Sequence, residues 1–327
     1  MMKAFNAMMR VVAAAVLMVV ADSAAAQPAY PNKVVRFIVP FPPGGSTNFV
    51  ARLVGQKLSE DLGQQVIIDN RPGGNTIIGT EALAKAAPDG YTLALATSTL
   101  VISPHLVPNL PYDAVKDFAP VATLVRTEYI LALHPSVPAN NLQEFIAFAK
   151  SKPGQLNYAS SSTGGTTHLA GELFNIMAGV KMQHVPYKGG GPAFTDLVGG
   201  QVQLAFNNAV NVLPHAKTGR LKAIAISGES RSSVLPQVPT FSEAGLPGFS
   251  AREWHGVIAP ARTPKAIINT LSAAIGKAMA APDILEKLAS QGVDPYISTP
   301  EQFAALMHAD AAKWGKVIQE ANIKLEN

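Results

Sequence analysis

The stretch VPFPPGGSTNFVARLVGQKL, residues 39–58, joins an apolar run directly to a helical pattern. The junction reads Pro-Phe-Pro-Pro-Gly-Gly, and apolar residues then recur with helical spacing at Val50, Leu53 and Val54. No acidic residue stands at the helix start, although Asp or Glu is common there because unpaired N–H groups give that end partial positive charge. The bare helix start indicates that a ligand brings the negative charge.

Two further glycine-rich junctions have the same design. SSSTGGTTHLAGELF covers residues 160–174 and YKGGGPAFTDLV covers residues 187–198. Glycine lets the backbone approach a ligand closely, and the N–H groups of a helix start suit a carboxylate or phosphate. A single junction of this kind fits an ordinary strand-to-helix turn as well as it fits a ligand site. Three of them favour a ligand site, because ligands of open α/β sheets bind at the carboxyl ends of strands.

Strand and helix patterns alternate along the chain, which predicts an α/β fold with parallel strands. A first unit has predicted strands at 34–39, 66–69 and 91–96, with helices at 48–62 and 76–87. A second unit has an extended run at 129–133, strands at 156–160, 184–187, 202–206 and 223–226, and helices at 142–151, 167–177, 192–198 and 210–218. A short strand near 256–259 and three helices, at 264–280, 283–291 and 300–321, complete the chain without a sheet of their own.

Composition narrows the class of protein. The 327 residues carry a net charge of +4 without a basic run, so we expect no nucleic-acid partner. Residues 1–26 combine Lys3 and Arg10, an apolar segment and Ala-Ala-Ala before Gln27, which is typical of a cleavable signal peptide. There is no Cys, and therefore no disulfide, thiol nucleophile or lipidated cysteine. A periplasmic protein, without cofactor or metal, is the simplest interpretation.

Enzyme interpretations find little support in the motifs. The sequence has no G-x-S-x-G elbow, no His-Glu-x-x-His and no G-x-x-x-x-G-K-[ST] loop. A secreted serine-type hydrolase stays as an alternative, because His168 follows a helix-start Thr and could act as a base. A structural role for His168, bonding the loop, is favoured. Lys188 is either a ligand contact or a solvated lysine, and Trp254 either stacks on a ligand or packs.

The chain from residue 30 onward resembles the Bug (TctC-like) substrate-binding proteins of tripartite tricarboxylate transporters. The matching segments are PFPPGGSTN at 40–48, NRPGGNTIIG at 70–79, APDGYTL at 87–93, LPYDAVKDFAPVA at 110–122, GTTHLAGELF at 165–174, HVPYKGGGPAFTDLVGGQVQL at 184–204 and APARTP at 259–264. The resemblance implies a two-lobed periplasmic-binding-protein-like (type II) α/β fold with a two-strand hinge. It also implies a receptor rather than an enzyme.

By this resemblance, residues 27–126 and 252–327 form a discontinuous lobe 1 and residues 127–251 form lobe 2. The strands that cross between the lobes are expected near 124–130 and 251–258. The partners it implies are a small carboxylate, either a di- or tricarboxylate, an acidic amino acid or an aromatic acid, and the membrane components of the transporter. We expect a monomer. A receptor that presents its ligand to a signalling partner is a further alternative.

In the family, the first two glycine loops, one from each lobe, grip one ligand carboxylate together with ordered water. Carried over by motif, the candidate ligand-binding residues are Phe41, Gly45, Ser46, Thr47, Asn48, Ser98, Thr99, Ser162, Thr163, Gly165, Thr166, Thr167, Tyr187 and Asn207. Two positions depart from the family, since Asn48 and Asn207 stand where Asp is common. If both face the ligand, a buried ammonium lacks its acidic partner, which predicts a ligand without an amino group.

Overall fold

The computed structural model describes residues 30–43, 46–232, 234–290 and 293–325, without the side chain of Ser46. The predicted signal peptide, residues 1–26, lies outside these ranges, and so does Gly45. Among the described residues, none of the helices has the length and apolar character needed to cross a membrane.

The first sheet has six strands in the order β11-β4-β10-β3-β1-β2. Strands β1, β2 and β3 are parallel, β10 is antiparallel to β3 and β4, and β11 is antiparallel to β4. These strands are β1 at Val35–Val39, β2 at Val66–Asn70, β3 at Thr92–Thr97, β4 at Phe118–Glu128, β10 at Arg252–Pro260 and β11 at Asp294–Pro295. The carboxyl ends of β1 and β3 therefore meet at one edge of this sheet.

The second sheet has five strands in the order β7-β6-β8-β5-β9. Strand β6 is parallel to β7 and β8, whereas β5 is antiparallel to both β8 and β9. These strands are β5 at Ile130–Leu133, β6 at Asn157–Ser160, β7 at Gln183–Pro186, β8 at Leu204–Asn207 and β9 at Lys222–Ile226. The two sheets confirm the predicted α/β class, with antiparallel strands that the helix–strand alternation did not indicate.

Helices cover both faces of the sheets. Those described are α1 at Ser46–Leu62, α2 at Ile77–Ala84, α3 at Thr99–Ile102, α4 at Leu142–Ser151, α5 at Thr166–Ala178, α6 at Gly190–Val198, α7 at Ala209–Lys217, α8 at Lys265–Met279, α9 at Pro282–Ser290 and α10 at Pro300–Glu320, with a 3-10 turn at Ser103–His105. Alternation along β1 explains the layers of the first sheet. Phe37 packs with α1, α8 and α9 in one core, and Ile38 packs with α2, α3 and α10 in another.

The chain crosses between the sheets at two places. Strand β4 ends at Glu128 in the first sheet, and β5 begins at Ile130 in the second. The chain returns before Arg252, where β10 begins in the first sheet. These crossings fall within the expected segments and support the lobe boundaries at 126/127 and 251/252, which stay a prediction.

The last helix packs against both lobes. Phe303 and Met307, in its first half, pack with Trp254 in a core of the first lobe. Trp314 and Val317, in its second half, belong to the core around the second sheet. The resemblance assigned this whole helix to lobe 1, whereas its second half packs in the core of the second sheet. The helix is a further physical connection beside the two crossing strands.

Candidate functional site

Helix starts from both lobes lie at the carboxyl ends of strands. Helices α1 and α3 follow β1 and β3 in the first lobe, and α5 and α7 follow β6 and β8 in the second. None of these four helices has an acidic residue in its first turn. Their unpaired N–H groups and partial positive charge suit an anion. This arrangement agrees with the bare helix starts that the sequence displayed.

The loop between β6 and α5 is held by its own polar groups. The Ser160 hydroxyl donates to the Ser162 carbonyl at 3.0 Å, and the Gly165 amide donates to the same carbonyl at 3.3 Å. The Ser161 amide donates to the Thr167 hydroxyl at 3.1 Å. Because Gly164 has φ of 75°, this turn needs a residue without a Cβ. The loop is therefore shaped independently of any ligand.

Thr166 begins α5 and is buried. It lies near Tyr129, the residue between β4 and β5. The pKa of Tyr129 is raised well above its ordinary value, first by burial and then by Glu253, while Thr166 lowers it. Tyr129 donates to a Glu253 carboxylate oxygen at 3.1 Å. The start of α5 thus lies beside the polar contact between Tyr129 and the crossing strand β10.

Two other candidates of lobe 2 keep partners inside the lobe. The Tyr187 hydroxyl donates to an Asp196 carboxylate oxygen at 2.7 Å, and burial together with that contact raises the pKa of Tyr187 to about 12. Asn207, half-buried at the end of β8, accepts through Oδ1 from the Asn208 amide at 2.9 Å and from Asn211 Nδ2 at 3.0 Å. This leaves the Nδ2 donor of Asn207 for another acceptor.

In lobe 1, Asn48 is committed to internal contacts. It is 4% exposed, its Nδ2 donates to Asn70 Oδ1 at 3.1 Å, and its Oδ1 accepts from Arg52 Nε at 3.0 Å. Asn70 Nδ2 also donates to the Phe41 carbonyl at 2.9 Å. The Asn48 amide therefore holds the loop after β1 against the end of β2. Both polar atoms of its amide thus have a partner within lobe 1, and Nδ2 keeps a second hydrogen.

Ser98 links the end of β3 to the crossing strand. It is fully buried, and its hydroxyl accepts from the Trp254 amide at 3.2 Å. The Thr99 amide donates to the Thr97 hydroxyl at 3.3 Å, which fixes the start of α3. The remaining candidates of lobe 1 with a described position, Ser46 and Thr47, lie in the first turn of α1. In lobe 2, Ser162 is exposed and Thr163 is half-buried on the glycine loop.

The structure decides several alternatives that the sequence left open. The Gly164 amide donates to His168 Nδ1 at 2.9 Å, so His168 bonds the loop as favoured. Trp254 is 2% exposed, donates through Nε1 to Asp310 at 2.8 Å and meets Phe303 edge to face, so it packs. Lys188 is exposed. Within the described ranges, no cluster of three metal-ligating side chains is present.

Four residues of this region escaped the sequence analysis: Tyr129, Ser160, His184 and Glu253. Tyr129 and Glu253 lie at the predicted crossings, but nothing in their neighbourhood in the sequence indicates that they bond to each other. Ser160 and His184 stand inside quoted motifs, and their contact depends on the pairing of β6 with β7. Only knowledge of this strand pairing could have predicted the contact between Ser160 and His184.

The two-sheet fold, with acid-free helix starts at the carboxyl ends of strands in both sheets, is that of a two-lobed solute-binding receptor of the periplasmic type. The family model TctC, described as the tripartite tricarboxylate transporter family receptor, matches residues 50–323. The chain belongs to this family, which confirms the resemblance. Members of the family are solute-binding receptors and not enzymes, so the hydrolase alternative is set aside.

The chain is also similar to individual proteins of known sequence or structure. Protein BugT of Bordetella pertussis is 39% identical over 299 residues, covering 91% of this chain and 92% of BugT. MatC from Rhodopseudomonas palustris with bound malate is 34% identical with a TM-score of 0.73, covering 88% of this chain and 100% of MatC. R. palustris Rpa4515 with adipate is 34% identical with a TM-score of 0.77, covering 90% of this chain and 100% of that protein.

Proposed function

We propose that this protein captures a small carboxylate in the cleft between its lobes and presents it to the membrane components of a tripartite tricarboxylate transporter. The observation that carries the proposal is the set of acid-free helix starts on both lobes, above all those of α1 and α5. Hydrogen bonds from such amides to a carboxylate contribute about 1.5–3 kcal/mol each. Two lobes that each donate to the same carboxylate gain this energy only when the cleft closes.

The relatives support the ligand class. Two relatives were solved with malate and with adipate, both dicarboxylates. In this chain the candidate contacts are the Thr166 helix start in lobe 2, the start of α1 in lobe 1 and the Nδ2 donor of Asn207. Asn48 carries less of the choice of ligand, because both polar atoms of its amide already have a partner within lobe 1. The case for a ligand without an amino group therefore rests mainly on Asn207.

Calorimetric titration of the protein from residue 27 onward with malate, adipate, benzoate and glutamate tests this proposal. We expect micromolar binding of at least one acid that lacks an amino group, equivalent to about −8 kcal/mol. Hydrolysis of esters or amides, lost on changing one Ser or His, would contradict a binding role. Retention of the bound acid together with capture of a sensor kinase from membranes, in place of transporter subunits, would favour the signalling alternative.

A matched pair of variants locates the site. Thr166→Ala perturbs the start of α5, and Thr270→Ala removes an exposed hydroxyl that donates to the Ala266 carbonyl at 2.9 Å on α8. Only the first substitution is expected to weaken binding. Equal affinities for wild type and both variants would place the carboxylate elsewhere in the protein.

A further inference from the structure

Two histidines lie stacked beneath the glycine loop of lobe 2. The ring centroids of His168 and His184 are 3.6 Å apart and their planes differ by 9°. His168 belongs to α5 and is 5% exposed, and His184 belongs to β7 and is half-buried. Two imidazoles in such close parallel contact repel each other when both are charged, and burial disfavours a charge on either ring. The geometry therefore favours two neutral rings.

The hydrogen bond of His168 fixes its tautomer. The Gly164 amide donates to Nδ1 of His168 at 2.9 Å. An amide N–H can donate only to an unprotonated ring nitrogen, so a neutral His168 carries its proton on Nε2. The bond holds the left-handed turn of the loop, where Gly164 has φ of 75°.

The hydroxyl of Ser160 links the tautomer of His184 to the loop. If its single proton goes to the Ser162 carbonyl, which lies at 3.0 Å, the Ser160 oxygen accepts from His184 Nε2 at 2.6 Å. His184 then also carries its proton on Nε2. Through Ser160 it holds the first half of the same loop that His168 holds in the second half.

We propose that His168 and His184, both neutral and both protonated on Nε2, act as positioning residues that clamp the loop 160–165 in its anion-binding shape. The clamp acts on two atoms of the loop, the Gly164 amide and the Ser162 carbonyl. Protonation of His168 at Nδ1 sets an N–H against the Gly164 N–H, which removes the acceptor and opens the loop. This inference rests on the proposed carboxylate site at the start of α5.

The surroundings keep both rings neutral. Burial first, and then the neighbouring His184, lower the pKa of His168 to about 3, while burial lowers the pKa of His184 to about 4. Tyr158 of β6 faces both rings, with its ring centroid 6.2 Å from that of His168 and 5.2 Å from that of His184. Its hydroxyl donates to Glu172 at 2.6 Å, so this carboxylate is engaged by Tyr158 rather than by an imidazole.

Nitrogen NMR of the wild-type protein at pH 7 tests the clamp without a ligand. We expect both rings to show the Nε2–H tautomer, with the Nδ1 shift of His168 displaced by an accepted hydrogen bond and the Gly164 amide protected from exchange. A protonated ring at pH 7, an Nδ1–H tautomer of either residue or a rapidly exchanging Gly164 amide would overturn the proposal. This result does not depend on which solute binds.

Variants then connect the clamp to binding. In His168→Asn the Oδ1 atom can occupy the place of Nδ1 and accept from Gly164, whereas His168→Leu offers no acceptor. With whichever of malate, adipate and benzoate binds wild type most tightly, we expect about tenfold weaker binding for His168→Leu, and less than about a twofold change for His168→Asn. The exposed His308→Asn on α10 is the control and stays at wild-type affinity.

The outcomes separate the two proposals. Equal affinity of His168→Leu and wild type contradicts the positioning role. An equal loss of affinity in His168→Leu and His168→Asn also contradicts the positioning role. The size of the side chain, rather than its hydrogen-bond acceptor, would then determine the affinity. If none of the three acids binds wild type while the tautomers are as expected, the proposed function fails and the clamp stands as a feature of the loop. If His168→Leu does not fold, the comparison of His168→Asn with wild type between pH 3 and pH 7 decides, since Asn cannot be protonated and its affinity is expected to fall less in acid.

Discussion

The Tyr129 hydroxyl donates a hydrogen bond of 3.1 Å to the Glu253 carboxylate across the two strands that connect the lobes. Tyr129 lies between β4 and β5, and Glu253 lies in β10, where it pairs with Thr127. Thr166, at the start of α5, lies near the same tyrosine. A group at the proposed ligand site therefore lies beside the polar contact that joins the crossing strands. Ligand binding and lobe closure are expected to be coupled through it.

Tyr129→Phe tests this connection. The substitution removes the only donor hydrogen of the phenol and leaves the Glu253 contact unmade, so we expect the free energy of unfolding to fall by about 1–2 kcal/mol. The affinity for the carboxylate should fall as well, because the Tyr129–Glu253 contact beside Thr166 is lost. Urea denaturation and calorimetric titration measure the two effects.

Tyr30→Phe is the matched control for that variant. The Tyr30 hydroxyl donates to the Gly90 carbonyl at 2.7 Å, away from the crossing strands. The Tyr30→Phe substitution should lower the free energy of unfolding without changing the affinity for the ligand. Wild-type affinity of the Tyr129→Phe protein would contradict the proposed coupling, because the bond between the crossing strands would then have no effect on ligand binding.

Thr166→Ala should weaken carboxylate binding by about tenfold or more, since charge-assisted hydrogen bonds contribute about 1.5–3 kcal/mol. The melting temperature of the ligand-free protein should change little. Titration and differential scanning calorimetry of the same samples provide both numbers. A large drop in melting temperature with unchanged affinity would assign Thr166 to the fold alone.

Asn207→Asp adds a negative charge at the end of β8. At a separation of about 6 Å and an effective dielectric of about 20, Coulomb repulsion of the ligand carboxylate amounts to about 3 kcal/mol before solvent screening. We expect a loss of up to about a hundredfold in affinity for an acid without an amino group. Asn109→Asp, on an exposed loop where φ is 59°, adds the same charge elsewhere and should have no such effect.

Glutamate is the informative ligand in that series. Tight binding of glutamate by wild type would contradict the preference for acids without an amino group. The partner for its ammonium would then be sought at Glu253, and Glu253→Gln should abolish glutamate binding. If the Asn207→Asp protein binds the best carboxylate as tightly as wild type does, Asn207 does not contact the ligand.

Acid stability follows from the histidine pair. The pKa values of His168 and His184 are lowered in the folded protein to about 3 and about 4, from an ordinary value of 6.5. The unfolded chain therefore takes up protons first as the pH falls, so the free energy of unfolding should decrease between pH 6.5 and about pH 4. His168→Asn should flatten this dependence relative to wild type. Parallel urea titrations of the two proteins across the window measure the difference, and identical slopes would contradict it.

We expect the two lobes to close when the ligand binds. Small-angle scattering should give a smaller radius of gyration when the best carboxylate is present at saturation. The second half of α10 packs on lobe 2, so closure must also be accommodated along this helix. An identical scattering profile with and without ligand would indicate a rigid cleft that is closed beforehand.

Local patterns predicted much of the fold. Helices α1 and α5 follow from the 3.6-residue period, and their bare starts could be read directly from the sequence. Strand β4 was missed over most of its length, because Pro120 and Thr123 interrupt the apolar run, and only pairing with β10 along its whole length makes it a strand. The period of α10 predicted a helix but not that its two halves pack on different cores.

The contacts within the candidate site were harder to predict. Asn48 was expected to face the ligand because of its motif position, and the structure shows its amide bonded to Asn70 and Arg52. Tyr129 and Glu253 are 124 positions apart, and Ser160 and His184 are 24 apart, so only strand pairing brings them together. Motifs located the loops, whereas the partners of each polar atom required the tertiary structure.

The crystal structure of the protein with the tightest-binding of malate, adipate and benzoate tests the central claim most directly. We expect closed lobes with one ligand carboxylate between them, its oxygens about 3 Å from the Thr166 hydroxyl or amide and from donors at the start of α1, directly or through a bridging water. A carboxylate bound outside the cleft, or bound by one lobe alone with the cleft open, would contradict the account.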